Sequence, residues 1–170
     1  MQKPIFCLIG LCLLLSSACA AAQTSKPAMP APHSADADRS ADMAATLPRD
    51  PDLKPVFEEF GGKPGLTAIV DDLMKNLMAD PRTRHFFADV DRIRVKAKLV
   101  EQFCVILGGP CTYTGDSMQE VHRGLDIRRA DFNALVEDLQ KAMNQHDVPF
   151  RAQNKLLAKL APMHRIIDEQ

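Results

Sequence analysis

Residues 92–125 read RIRVKAKLVEQFCVILGGPCTYTGDSMQEVHRGL, and the fold follows outward from this run. Ile93, Ala97, Val100, Cys104 and Leu107 recur at helical spacing and predict a helix from about Arg92 to Leu107. A second apolar line at Val95, Leu99 and Ile106, interrupted by Gln102, predicts packing on two sides, which is unusual for a small surface helix. Gly108-Gly109-Pro110 ends it. Ser117-Met118-Gln119-Glu120 then has the capping-box pattern, with the serine oxygen free to accept from the amide three residues on and Glu120 reaching back. It opens a short helix whose inward face is Met118, Val121, His122 and Leu125. An imidazole in the middle of that stripe must find a partner, or cost about 1 to 3 kcal/mol as an unsatisfied polar group.

The helical spacing continues on both sides. Upstream, Leu53, Val56, Phe57 and Phe60 share one face before Gly61-Gly62 stops the turn. Pro64 suits the first turn of a helix with the stripe Leu66, Ile69, Val70, Leu73 and Leu77, which ends at Asp80-Pro81. A short turn carries Phe86-Phe87. Downstream, Phe132, Leu135, Val136, Leu139 and Met143 mark a longer helix. Leu156, Leu157, Leu160 and Ile167 mark a last one after Pro149, with a kink expected at Pro162. No stretch alternates with the period of two that a half-buried strand needs. The fold class is all-α, one domain over residues 51–170 with a core chiefly of Leu, Val, Met and Phe.

The first 50 residues are of another kind. Lys3 is the only charge among the first 22, and the apolar run Ile5 to Leu15 is followed by small residues. This predicts a secretory signal peptide over residues 1–20, because about 11 apolar residues fall short of the roughly 20 that cross a bilayer. Two outcomes stay open: cleavage at a small-x-small site around Ala20, or lipid attachment at Cys19, since Leu15-Ser16-Ser17-Ala18-Cys19 resembles a bacterial lipobox. Residues 21–50 are rich in Ala and Pro, with Leu47 their only branched aliphatic and no aromatic. They read as a disordered linker, or as a membrane tether if Cys19 is lipidated. The expected location is exported and periplasmic, soluble or lipid-anchored. With 21 Lys+Arg against 22 Asp+Glu in 170 residues and no basic stripe, the chain does not look like a nucleic-acid binder.

Of the five histidines, His33 falls in the linker, while His85, His146 and His164 read most simply as surface or capping residues. His122 has two readings: a half-buried histidine bonded to a nearby carbonyl, or a metal ligand. Zinc is disfavoured, because no second His, Cys or carboxylate stands at ligand spacing with it. A haem iron needs one protein ligand and an apolar slot, and an inward His with an aromatic pair at a corner fits that need. There is no C-x-x-C-H, so the haem would not be covalently attached. Cys104 and Cys111 flank the glycine turn of a chain that reads as exported, which predicts a disulfide bracing the approach to the His122 helix. Two buried thiols are the alternative.

Several motifs agree with one family. Phe60-Gly61-Gly62, Ile69-Val70-Asp71-Asp72, Ala79-Asp80-Pro81-Arg82, Phe86-Phe87, Gly108-Gly109-Pro110, Tyr113-Thr114-Gly115, Met118 and His122 resemble, in order and spacing, a bacterial, exported group I truncated haemoglobin over nearly all of residues 53–165. The resemblance implies a two-over-two helical sandwich with non-covalent haem b. It implies His122 as the proximal iron ligand, Phe87 stacked on the porphyrin, Met118 packed on the haem, Lys98 near a propionate, and Tyr113 in the same site.

On the ligand side the chain departs from the family. Met74 stands where many members carry a tyrosine, and the positions facing the ligand on the third helix are Val95 and Leu99. A donor there holds dioxygen by roughly 1.5 to 3 kcal/mol, about ten- to a hundredfold. Only Gln102 is an uncharged polar side chain nearby, so tight dioxygen storage is not expected. Carbon monoxide and nitric oxide depend less on a donor. Met74 or Lys98 could instead close onto the iron, giving a six-coordinate haem suited to electron transfer. The expected function is reversible binding of dioxygen or another diatomic gas. The alternatives are a haem redox enzyme, such as a nitric oxide dioxygenase or peroxidase-like protein with an unidentified redox partner, and a haemless helical interaction module.

Overall fold

Glycine and proline positions set where the helices begin and end, and the apolar stripes decide how they pack. The structure, a computed structural model, describes residues 47–168; the expected signal peptide and the linker up to residue 46 lie outside the described residues. After a 3₁₀ turn at Pro51–Leu53 come α1 (Lys54–Glu59), α2 (Gly62–Ala79), α3 (Arg84–Phe87) and α4 (Arg92–Ile106). Then follow α5 (Met118–His122), α6 (Arg129–Gln145), α7 (Phe150–Leu160), a 3₁₀ turn at Ala161–Met163, and α8 (His164–Asp168). Among the described residues there is no strand.

The first corner depends on glycine. Gly61 takes φ 76°, a left-handed conformation that glycine adopts without a Cβ penalty, and it serves as the N-cap of α2. α2 ends at Asp80, extended at ψ 120°, as a residue before proline prefers. Asp91 starts α4 by accepting from the amides of Ile93 and Arg94 at 3.0 and 3.1 Å. Gly108 ends it at φ 71°: the Gly109 amide donates to Cys104 O at 2.8 Å and the Gly108 amide to Val105 O at 3.0 Å, a Schellman closure.

α2 is the scaffold, packing extensively on both α4 and α6, while α7 lies against α1, α4 and α6. The pairs α2/α4 and α6/α7 form the two-over-two sandwich. Its interior is Leu66, Ile69, Leu73 and Leu77 from α2, met by Ile106 and Leu107, Leu139 and Met143, and Leu156. Each fully buried side chain of this size contributes about 1.5 to 3 kcal/mol relative to exposure. Pro162 falls in the 3₁₀ turn that separates α7 from α8, so the break expected there is present.

Three expectations need correction. Ile93 is 79% exposed and Ala97 is also exposed, so the stripe that begins with them is buried only from Val100 onward. Periodicity marks a face but not where the neighbouring helix stops covering it. Val121 and Leu125, expected on the inward face, do turn inward but onto an open cavity instead of a closed core, and are 43% and 40% exposed. Residues 47–50, placed in the linker on composition, pack on the domain: Leu47 is buried in the core, Arg49 Nη2 donates to Gly109 O at 2.9 Å, and Asp50 pairs with Lys159 at 2.8 Å.

One interior carboxylate is poorly accommodated. Asp138 on α6 is 5% exposed and its Oδ2 has no hydrogen-bond partner. Burial, reinforced by nearby Asp80, raises its pKa above 3.8. A raised acid binds its proton more tightly in the folded state, so its contribution to stability is present below the unfolded value and is lost as pH rises through the folded one. Asp138→Asn should therefore stabilise the domain at pH 7 by about 1 kcal/mol and flatten the fall in stability as pH rises above the ordinary carboxyl value of 3.8. Urea denaturation across that pH range measures both, and an unchanged slope contradicts the assignment.

Candidate functional site

A cavity of about 400 Å³ opens between α4, α5 and α6. Phe86 and Phe87 of α3 close one end, and Leu160, Met163 and Ile167 border it from the C-terminal helices. Three large apolar side chains left exposed, Val90 at 41%, Val121 at 43% and Leu125 at 40%, all line it. Uncovered apolar surface along a slot is what a flat apolar group would bury.

His122 lines this cavity from the last position of α5. Its Nδ1 lies 2.7 Å from the Met118 carbonyl one turn back. A carbonyl only accepts, so Nδ1 carries the proton. Burial lowers the ring's pKa below 6.5, partly offset by that same bond, and so favours the neutral ring. In this tautomer Nε2 holds a lone pair, and no described residue hydrogen-bonds to it. A neutral histidine with Nδ1 committed to a backbone carbonyl is the usual state of an oriented metal ligand.

Ser117 caps α5 by accepting from the Glu120 amide at 3.2 Å, as the pattern predicted. The return arm differs: the Ser117 hydroxyl donates to the Glu120 carboxylate at 3.1 Å. The loop before α5 is fastened repeatedly to α4. The Cys111 sulfur lies against that of Cys104, with Cα atoms 5.9 Å apart. The Thr114 amide and hydroxyl both donate to Glu101 at 2.9 Å, Asp116 pairs with Arg94 at 3.5 Å, and Gln102 reaches Met118 at 3.2 Å. Gly109 allows this close approach, since a Cβ there would lie 2.7 Å from Cys104 Sγ and 2.8 Å from Phe57 Cε2.

Of the residues singled out in the sequence, His122, Phe87, Met118, Lys98, Val95, Leu99 and Tyr113 all line the cavity. Met74 does not, which corrects its assignment to the site. It lines a separate cavity of about 490 Å³ with Asp71, Lys75, Met78, Arg92 and Lys96. One residue along a helix turns the side chain by roughly 100°, and here Leu73 faces the main cavity in its place. Lys98 is not a free amine: its Nζ donates to the Glu101 carboxylate at 3.1 and 3.3 Å and to the Thr114 hydroxyl. Burial raises the Glu101 pKa, but the Thr114 and Lys98 hydrogen bonds outweigh it and leave the carboxyl below 4.5. Tyr113 is buried, with its hydroxyl donating to Asp116 O at 2.9 Å and its pKa pushed up to about 12 by burial, then by Asp116 and Glu101.

Phe132, Leu135 and Val136 of α6 also line the cavity, although their spacing read as plain core. An apolar stripe looks the same against a neighbouring helix as against a slot. The other described histidines are engaged elsewhere. His85 is exposed against Phe86 with ring centroids 3.9 Å apart, His146 Nε2 meets Asp72 at 2.8 Å, and His164 packs edge-on to Phe132 at 5.0 Å.

Fold and site together define a helical sandwich with one histidine-bearing apolar pocket. The model of the bacterial-like globin family matches residues 55–168. A group 1 truncated hemoglobin of Mycolicibacterium paratuberculosis is 32% identical over 108 residues, spanning 64% of this chain and 79% of that protein. One from Tetrahymena thermophila is 34% identical over 91 residues, spanning 53% of this chain and 74% of that protein. The Fe(III) form of truncated hemoglobin from Tetrahymena pyriformis matches in three dimensions with a TM-score of 0.64 at 26% identity, covering 66% of this chain and 96% of that one. The chain belongs to the bacterial-like globin family, in its group I truncated branch.

Proposed function

We propose that this protein binds haem b non-covalently between α4 and α5 and reversibly takes up a diatomic gas, with His122 as the proximal ligand. The observation that carries the reading is the His122 ring, neutral, with Nδ1 tied to Met118 O and Nε2 unclaimed on the cavity wall. When bound, haem supplies an iron with one position for the protein and one for a small ligand. Met118 sets the tautomer, Val90, Val121 and Leu125 gain cover, and Lys98, held at its place by Glu101 and Thr114, supplies the cation for a propionate. Val95 and Leu99 form an apolar wall without a donor. Met74 faces another cavity and the Lys98 amine is engaged, so gas binding is favoured over a self-closed electron-transfer site.

Adding haem to the purified protein should give a Soret band that is lost in His122→Ala and retained in His85→Ala and His164→Ala. No band in the unsubstituted protein would sink the proposal. The donorless wall predicts modest dioxygen affinity, which Leu99→Gln should raise about ten- to a hundredfold while carbon monoxide affinity moves far less. Flash-photolysis and stopped-flow rates for the two gases read this, and a parallel rise for both would contradict it.

We further propose export: removal of the first 18 to 22 residues, with the mature chain tethered through Cys19 or free in the periplasm, and Cys104 and Cys111 oxidised to a disulfide as the paired sulfurs suggest. Mass spectrometry of the exported chain should find a shortened or lipidated N-terminus and no free thiol at these two positions. A full-length chain with two free thiols is the contrary result.

A further inference from the structure

α5 has five residues, too few to hold a helical conformation unaided, and it carries the residue on which the site depends. The fastenings at Cys111, Thr114 and Asp116 all stop before it. Among the described residues, one hydrogen bond reaches α5 from another helix: Gln102 Nε2 donates to Met118 Sδ at 3.2 Å. Gln102 is 6% exposed and lines the cavity on the same face of α4 as Val95 and Leu99. Its amide oxygen accepts no hydrogen bond from a described residue. A thioether is a weak acceptor, and an apolar side chain of equal length would fill the same space without the desolvation cost of an amide. The amide is therefore poorly explained by stability alone. What its one bond does is hold Met118, and the Met118 carbonyl is the acceptor for His122 Nδ1 at 2.7 Å.

We propose that Gln102 is a positioning residue for His122. By fixing the Met118 side chain to α4, it steadies the Met118 carbonyl, which in turn holds the imidazole in one tautomer and one ring orientation. Gln102 thereby joins the two walls of the cavity: α4, with Val95 and Leu99, and α5, with His122. A shift of α4 is transmitted to the histidine through this contact. The inference rests on the reading of the cavity as a haem site, but the geometry belongs to the protein and can be tested with and without haem.

The test compares the unsubstituted protein with Gln102→Met, Met118→Leu and the double variant. In haem-free protein, amide hydrogen exchange at Val121 and His122 is expected to speed up about two- to tenfold in each single variant and no further in the double. In the haem-loaded ferrous protein, the iron–histidine stretching band in resonance Raman is expected to shift and broaden in the same three variants. Unchanged exchange and an unchanged band in Gln102→Met overturn the proposal, as do effects of the two single substitutions that simply add. A protein that takes up no haem overturns the haem reading, and the exchange rates then decide the role of Gln102 on their own.

Discussion

The 2.7 Å hydrogen bond from His122 Nδ1 to the Met118 carbonyl is the interaction on which the site depends. It decides which ring nitrogen keeps a proton, and so which is left with a lone pair on the cavity side. Without it, the ring in an apolar slot would be free to choose its tautomer or to turn away, and burial alone would specify neither. Two constraints act together here, since burial favours the neutral ring and the carbonyl chooses between its two neutral forms.

The rest of the structure can be understood as what holds that carbonyl in place. A five-residue helix has little cooperative stability of its own, and the segment leading to it has no regular structure. α4 supplies the missing rigidity: its residues Arg94, Glu101, Gln102 and Cys104 each fasten a position between Cys111 and Met118. α4 is itself seated on α2, whose buried leucines form the centre of the sandwich. Stability therefore runs from a close-packed interior outward to the less regular segment that carries the chemistry. Val90, Val121 and Leu125, left uncovered, line the cavity beside that segment, where a bound group can cover them.

Much of this was legible in the sequence for physical reasons. The stripe Leu66, Ile69, Val70, Leu73 and Leu77 is buried throughout, and the glycine and proline stops lie within a residue or two of the observed ends of α2 and α4. His122 stood out because an imidazole in an apolar stripe needs a reason. What periodicity could not show is what lies opposite a face. Ile93 carried the right spacing and is exposed, while Phe132, Leu135 and Val136 carried the same spacing and line a cavity. Leu47 was hidden by composition, since a single leucine in an Ala/Pro-rich segment gives no pattern, yet it sits in the core with Arg49 and Asp50 bonded beside it. Met74 was placed in the site by resemblance, and the turn of one residue along α2 puts Leu73 there instead.

The wall that Val95 and Leu99 give the pocket is more apolar than the family resemblance implies. Met74 is not among the residues lining the pocket, Val95 and Leu99 offer no donor, and Gln102 commits one amide N–H to Met118. The proximal pair His122 and Met118 follows the family resemblance, whereas Val95, Leu99 and Gln102 are where this chain departs from it. The central claim is tested most directly by X-ray diffraction from crystals of the haem-loaded protein. The prediction is a porphyrin between α4 and α5 beside Phe87, with its iron on His122 Nε2 and His122 Nδ1 still bonded to the Met118 carbonyl. Iron held by any other residue, or a porphyrin bound outside this cavity, would contradict it.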